Sequence, residues 1–416
     1  MLILYNFGIG IYYLLIFIFH FFNTKAKLWI EGRRNLFQRI AQEVDPRAEK
    51  VWFHFASLGE FEQGRPVLEK VREQYPNYKT LITFFSPSGY ELRKNYQGAD
   101  YIFYLPLDTR FNAEKFIQLT KPQLAIFTKY EFWYHYFKEL QREGIPLYLI
   151  SGIFRESQPF FKWYGGLNRK MLKRVSHFFV QDGRSKQLLE DININNVTVS
   201  GDTRFDRVAE NAASAKQFEK VETFCGVNPV LVAGSTWPED EKLIAGLAKE
   251  YPQWKFVVAP HEIKEEKIQA FISLLEPGIA VRYSEFDQIE KAFQHRVLII
   301  DNIGMLSSLY QYGKVAYIGG GFGVGIHNTL EAAAFAIPVI FGPNYDRFLE
   351  AKALISAEAG FSISNREELQ DIMRKLQNEE FRTKTAAAAG RLVQEGKGAT
   401  GIILNHLEKQ LANPSN

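Results

Sequence analysis

The sequence predicts an α/β protein of two doubly wound halves facing a cleft, preceded by a membrane-anchor helix. Three observations carry that prediction. The chain opens without a charge from Met1 to Thr24, near-continuous apolar runs then alternate with amphipathic stretches, and the alternation restarts after a polar interval at mid-chain. With 416 residues, 46% of them apolar, there is material for more than one core. Lys and Arg number 50 against 47 Asp and Glu, and a formal charge of +3 excludes a broad nucleic-acid footprint. The one cysteine, Cys225, allows neither an internal disulfide nor a cysteine zinc cluster.

In chain order, the first element is residues 1–24, apolar from Leu2 to Phe22 except at Asn6, Gly8, Gly10 and His20. About 20 such residues suffice to cross a hydrocarbon core. No basic residue precedes the run and no small-residue cleavage site follows it, so a cleaved signal peptide is not indicated. Lys25, Lys27, Arg33, Arg34 and Arg39 follow and place that flank on the cytoplasmic side. The segment is therefore expected to be a single anchor, the alternative being a buried or interfacial helix, since Tyr12, Tyr13, His20 and Trp29 suit an interface as well as a span.

Strands are expected at VWFHFA from Val51, TLITFF from Thr80, YIFYL from Tyr101, LAIFT from Leu124, LYLIS from Leu147 and HFFVQ from His177. Runs apolar at every position suit a parallel sheet covered on both faces. The second series comprises PVLVAG from Pro229, WKFVVAP from Trp254, VLII from Val297, KVAYIGGG from Lys314 and PVIFG from Pro338. The domains are thus drawn as 25–207 and 208–416, with the last helix free to pack back on the N-terminal domain.

Several chemistries are excluded by missing motifs. No frame of the glycine cluster from Gly319 to Gly325 fits G-x-G-x-x-G, and there is no G-x-x-x-x-G-K-[ST] loop. A D-x-D pair of the kind that holds a metal-bound nucleotide diphosphate is also missing, so no metal and no cofactor is expected.

What remains is a set of polar residues at strand ends, where ligands gather in open α/β sheets. The cluster G-G-G-F-G-V-G-I-H-N-T-L-E-A-A-A-F from Gly319 is a strand, a glycine turn and a helix start, an arrangement suited to an anion. Asn328 and Glu331 stand in capping-box spacing, which also satisfies free helix amides without any ligand. S-L-G-E at Ser57 puts Glu60 in the first turn of the helix after the first strand. That helix favours an ionised carboxylate, whether it serves as a proton acceptor or only as a stabiliser of its own helix. Ser235 and Thr236, His261, and D-N-I-G-M-L with Gly304 and Met305 follow three successive C-terminal strands.

Taken in order, these features resemble the 3-deoxy-D-manno-octulosonic acid (Kdo) transferase family. The resemblance covers nearly the whole chain, through W-I-E-G-R-R at Trp29, S-L-G-E at Ser57, Y-L-P-L-D at Tyr104 and G-D-T-R-F-D at Gly201. Ser235-Thr236, D-N-I-G-M-L at Asp301 and G-I-H-N-T-L-E at Gly325 continue it, the last being the most specific. The resemblance implies two Rossmann-like domains of the GT-B type, a CMP-Kdo donor on the C-terminal one and a lipid A precursor on the N-terminal one. It implies metal-independent, inverting transfer in lipopolysaccharide synthesis at the cytoplasmic face of the inner membrane. Glu60 matches the family's catalytic base, and Ser235, Thr236, His261, Gly304, Met305, Asn328 and Glu331 match positions lining the donor site. The chain departs from the family's P-R-H at Ala259, Pro260 and His261, from its E-T-E-x-W-P at Lys129 to Tyr134, and from an arginine at Ile153. The competing readings are another GT-B transferase using a UDP-sugar and a membrane-tethered sugar-nucleotide binder without turnover.

Overall fold

The computed structural model describes residues 1–323 and 325–412, which divide into two compact units. One comprises Met1–Asp206 and takes up the chain again from Lys397; the other comprises Arg207–Gly396. The first unit holds β1 (Lys50–Phe55), β2 (Lys79–Phe84), β3 (Tyr101–Tyr104), β4 (Leu124–Thr128), β5 (Leu147–Gly152), β6 (His177–Val180) and β7 (Val197–Val199). These form one parallel sheet in the order β3-β2-β1-β4-β5-β6-β7. Val51, Trp52, Phe53 and Phe55 of β1 are all fully buried, because helices cover both faces of the sheet and leave no solvated side for polar residues to alternate onto. The last helix, Ala399–Leu411, contributes Ile403, Leu404, Leu407 and Leu411 to this core.

The second unit holds β8 (Val230–Thr236), β9 (Lys255–Pro260), β10 (Ala280–Arg282), β11 (Val297–Ile299), β12 (Val315–Ile318), β13 (Val339–Phe341) and β14 (Gly360–Ser362). Their order is β10-β11-β9-β8-β12-β13-β14, again all parallel. Both sheets reverse their winding at one point, between β1 and β4 in the first and between β8 and β12 in the second. Loops leaving the carboxyl ends of those pairs diverge to opposite faces and open a crevice. The edge strands β7, β10 and β14 were not foreseen. They read VTV, AVR and GFS, short and interrupted by polar residues or glycine, so no continuous apolar run marks them as VLI and VIF mark the equally short β11 and β13.

The N-terminal helix, Leu2–Phe19, is the one helix among the described residues apolar and long enough to cross a membrane. Its outward residues, including Leu4, Phe7 and Leu14, are exposed, whereas Leu2 and Tyr5 pack against the core of the first unit.

Candidate active site

In the second unit the polar groups at the winding reversal are held mainly by backbone. Just before the end of β8, Ser235 has a φ of 54°, which puts a non-glycine residue in the left-handed region. The loop after β12 approaches so closely that a Cβ on Gly319 would lie 2.3 Å from the Ser235 carbonyl oxygen and 2.7 Å from the Thr236 Cα. One step on, a Cβ on Gly321 would lie 2.5 Å from the Cα of Gly342, which follows β13. Only glycine permits these approaches. The Val324 position of the glycine cluster lies outside the described residues.

Asp240, in the first turn of the helix Pro238–Glu250, ties these pieces together. Its carboxylate accepts from the amides of Trp237 and Gly320, each at 2.9 Å, and from the Tyr317 hydroxyl at 2.8 Å. Burial pushes its pKa up, and the three donors oppose that. The next residue, Glu241, accepts from the Thr236 hydroxyl at 3.3 Å, and burial lifts its carboxyl to about 7.

Three rings cluster at His261, which stacks on Trp237 and meets His327 at a tilt of 33°. Trp237 lies on His261 with centroids 4.7 Å apart and planes 18° apart, and His261 lies 4.7 Å from His327. Burial, then the neighbouring His261, brings His327 down to about 4, so its ring is neutral at pH 7. Trp237 Nε1 donates to His327 Nε2 at 3.2 Å, which leaves the ring proton of His327 on Nδ1.

The predicted donor residues are thus placed in three groups. Ser235, Thr236 and His261 form the first group, at the ends of the neighbouring strands β8 and β9, with the His261 amide donating to the Thr236 carbonyl at 2.9 Å. Asn328 and Glu331 form a second group, with Asn328 Nδ2 donating to Glu331 Oε1 at 3.1 Å and Asn328 Oδ1 accepting from the Leu330 amide. The helix they were expected to cap is a single turn, Leu330–Ala333, with Thr329 at its N-cap. The expected capping box is therefore replaced by a side-chain pair. Gly304, at φ 91°, and buried Met305 form the third group and lead into the one-turn helix Leu306–Leu309, whose Leu306 packs with Tyr310 against Gly234. Full burial raises the Tyr310 hydroxyl well above its ordinary value, and the charge of Glu331 adds to the shift.

Asp240 and Glu241 are contributors that the sequence did not single out, whereas Trp237 and His327 lie within motifs it marked, S-T-W at Ser235 and G-I-H-N at Gly325, without being assigned to the donor site. A Pro at the first helical position followed two residues later by Asp is a helix-start signal that points to Asp240, though not to its bond with the glycine turn.

In the first unit, Glu60 occupies the first turn of the helix Leu58–Gln74 and is half-buried. Ser57 Oγ, at the N-cap, donates to Glu60 Oε2. The loop after β4 brings Tyr130 beside Glu60, Arg155 and Asp182, whose charges act on the Tyr130 hydroxyl behind the larger effect of burial. Glu131 Oε2 accepts from Trp133 Nε1 at 2.8 Å and faces His54 Nε2 at 3.1 Å. His54 is fully buried on β1, and its Nδ1 meets the Thr83 hydroxyl on β2 at 2.8 Å. This line of bonds fixes the loop at the winding reversal, immediately beside β1, the strand that leads into the helix carrying Glu60. G-D-T-R-F-D serves the frame: Thr203 Oγ1 donates to the Gln63 carbonyl, and Asp206 accepts from the amides of Gly398 and Thr400 at the start of the last helix.

Among the described residues no group of three His, Cys, Asp or Glu is placed to hold a metal ion. In the second unit, two cations stand near these groups. Lys267 lines a hollow with Thr236 and His261, and Arg347 is so near the glycine turn that a Cβ on Gly325 would lie 2.7 Å from its Nη2.

Known proteins share both the fold and the sequence. The UDP-GlcNAc 2-epimerase of Neisseria meningitidis superposes with a TM-score of 0.61 over 86% of this chain and all of its own, at 17% identity, a likeness of fold alone. A glycosyltransferase from Rickettsia africae gives 0.56 at 14% identity, over 88% of this chain and all of its own. Residues 32–207 match the family model of the 3-deoxy-D-manno-octulosonic-acid transferases. The 3-deoxy-D-manno-octulosonic acid transferase of Chlamydia trachomatis serovar A is 30% identical over 345 residues, 80% of this chain and 79% of that protein. Its Aquifex aeolicus counterpart is 27% identical over 327 residues, 77% of this chain and 83% of that one. With two parallel sheets of the expected winding and a relative this similar across four-fifths of both chains, the protein belongs to the 3-deoxy-D-manno-octulosonic acid transferase family of glycosyltransferases.

Proposed function

We propose that the protein transfers Kdo from CMP-Kdo to a lipid A precursor, with inversion and without a metal, in lipopolysaccharide synthesis at the cytoplasmic face of the inner membrane. The second unit, Arg207–Gly396, binds the donor, and the first unit binds the acceptor. The observation that carries the division is the contrast between a glycine turn braced by Asp240 in the second unit and a half-buried carboxylate, Glu60, in the first. Departure of CMP builds negative charge on its phosphate, and the amides of the glycine turn stabilise such charge without reorganising. Arg347, beside Gly325, supplies the cation that the sequence lacks next to His261. Neutral His327, with its proton on Nδ1, is a donor that does not compete for that proton at pH 7. Asn328 and Glu331 form a donor-and-acceptor pair suited to sugar or ribose hydroxyls.

The sugar carbon becomes oxocarbenium-like as CMP leaves. Glu60 accepts the proton of the attacking lipid hydroxyl, and Ser57 orients the carboxylate for that role. The test is incubation of the protein with CMP-Kdo and a lipid A precursor, followed by mass spectrometry of the lipid. A mass increase of one or more Kdo units is the expected result. A parallel incubation with UDP-GlcNAc addresses the UDP-sugar reading that the fold shared with the epimerase leaves open. Lipid modified only in that second arm overturns the assignment of the donor.

A further inference from the structure

The N-terminal helix, Leu2–Phe19, is apolar around its whole circumference, which by composition alone suits a membrane span. Its contacts say otherwise. Tyr5 Oη donates to Asp108, a carboxylate 1% exposed that also accepts from the amides of His135 and Tyr136 at 3.1 Å. The Tyr134 amide donates to the same tyrosine oxygen at 3.3 Å. Asn6 Oδ1 meets His135 Nε2 at 2.7 Å. Farther along, Tyr12 packs on Trp29 and Phe85 with ring centroids 6.1 and 6.0 Å away. The helix is therefore tied to the first unit near its start and again at its middle.

A helix crossing the bilayer has to leave the soluble body. Here that means withdrawing Tyr5 from a buried carboxylate and carrying Asn6 into hydrocarbon, two changes that each strand polar groups. The length available is also short. From Tyr5 to Phe19 the rise is about 22 Å at 1.5 Å per residue, against a hydrocarbon core of about 30 Å. The opposite face is a stripe at helical spacing, Leu4, Phe7, Ile11, Leu14 and Ile18, from 71% exposed at Leu4 to 41% at Ile11. No charge interrupts it, and exposed Lys25, Lys27 and Arg34 follow. Among the described residues none of those three is ion-paired.

We propose that Leu2–Phe19 lies in the plane of an anionic bilayer, its inner face on the first unit and the stripe from Leu4 to Ile18 in the acyl boundary, with the Tyr5–Asp108 and Asn6–His135 contacts as the latch. An apolar circumference is then required, since protein covers one face and lipid the other. The cations at its end meet phosphate headgroups. The inference rests on the membrane part of the proposed function and specifies its geometry.

The test uses the full chain with Leu4→Cys, Ile11→Cys or Ile18→Cys, each labelled with an environment-sensitive fluorophore; native Cys225 is buried. Labelled protein is added to phosphatidylethanolamine–phosphatidylglycerol vesicles containing nitroxide lipids of known depth. The in-plane helix places all three labels at one depth, about 5–10 Å below the headgroups. A span places the label at position 11 near the bilayer centre, about 15 Å deep, with the unlabelled Leu4→Cys thiol open to an impermeant maleimide enclosed in the vesicle lumen, and overturns the proposal. Tyr5→Phe combined with Asn6→Ala should let position 4 sink relative to position 18, an effect that a rigid packed helix lacking a latch does not give. Binding should weaken about fivefold per Lys or Arg on uncharged phosphatidylcholine. Equal binding to both vesicles, or a soluble dimer formed through the stripe, removes the anionic bilayer as occupant. Failure to bind any vesicle sinks the membrane reading itself, while leaving the transfer assay as its own separate test of the reaction.

Discussion

At the winding reversal of the first unit the polar atoms are side chains, Glu60, Glu131 and His54, mounted on a rigid aromatic sheet. At the equivalent place in the second unit they are chiefly main-chain groups, brought within van der Waals limits of one another by Gly319, Gly321 and Gly342 and braced by Asp240. The difference teaches what each unit is able to lose. A side-chain site can be emptied of its chemistry while its fold stands, whereas a main-chain site cannot be altered without moving the backbone that forms it.

Four measurements break or sharpen that contrast. The largest effect is expected for Glu60→Gln, which keeps the size of the side chain and removes the base. Single-turnover transfer should fall by about 10² to 10⁴ while CMP-Kdo affinity and melting temperature hold. Turnover close to wild type would take Glu60 out of the reaction. Gly319→Ala should do the reverse and strike fold and ligand together, because its Cβ meets Ser235 and Thr236 backbone. Overpacking of this kind costs about 1–3 kcal/mol, readable in denaturant unfolding, and calorimetry should show nucleotide affinity falling with it. If stability drops but affinity does not, the turn is only structural.

A smaller change is expected for Asn328→Ala, which removes one side of the pair with Glu331. Donor binding should weaken about three- to tenfold, the range of one or two net hydrogen bonds, with little change in the rate from saturated enzyme. A rate loss at unchanged affinity would move Asn328 from binding to chemistry.

The smallest net effect is that of a pair of opposed pH slopes in the second unit, which largely cancel in the unaltered protein. Glu241 rises from an ordinary 4.5 to about 7 on folding, so the native state holds the extra proton and stability falls as pH rises between those values. His327 drops from 6.5 to about 4, so the unfolded state holds the extra proton and stability rises with pH across that window. The two nearly offset each other between pH 4.5 and 6.5. Glu241→Gln should therefore leave a melting temperature that climbs with pH in that interval, and His327→Gln one that declines. Parallel profiles in both variants would show that neither group carries the assigned shift.

Sequence alone determined the winding and most of the strands, because a strand buried on both faces has to be apolar at nearly every position and its length sets it apart from a helix. Runs such as those at Val51, Leu124 and Val230 could have no other place in a soluble domain. It also marked Glu60, Ser235, His261 and Asn328 as polar residues at strand ends, since strand-to-helix junctions are visible in the pattern. Tertiary structure decided what the pattern could not contain. Asp240 reaches Gly320 across 80 positions, and Asp108 reaches Tyr5 across 103, because hydrogen bonds between loops depend on the separation of strand ends in space and leave no periodic trace in the chain. The same holds for the first helix: its composition declares that every face avoids water, and only its contacts decide which face meets protein.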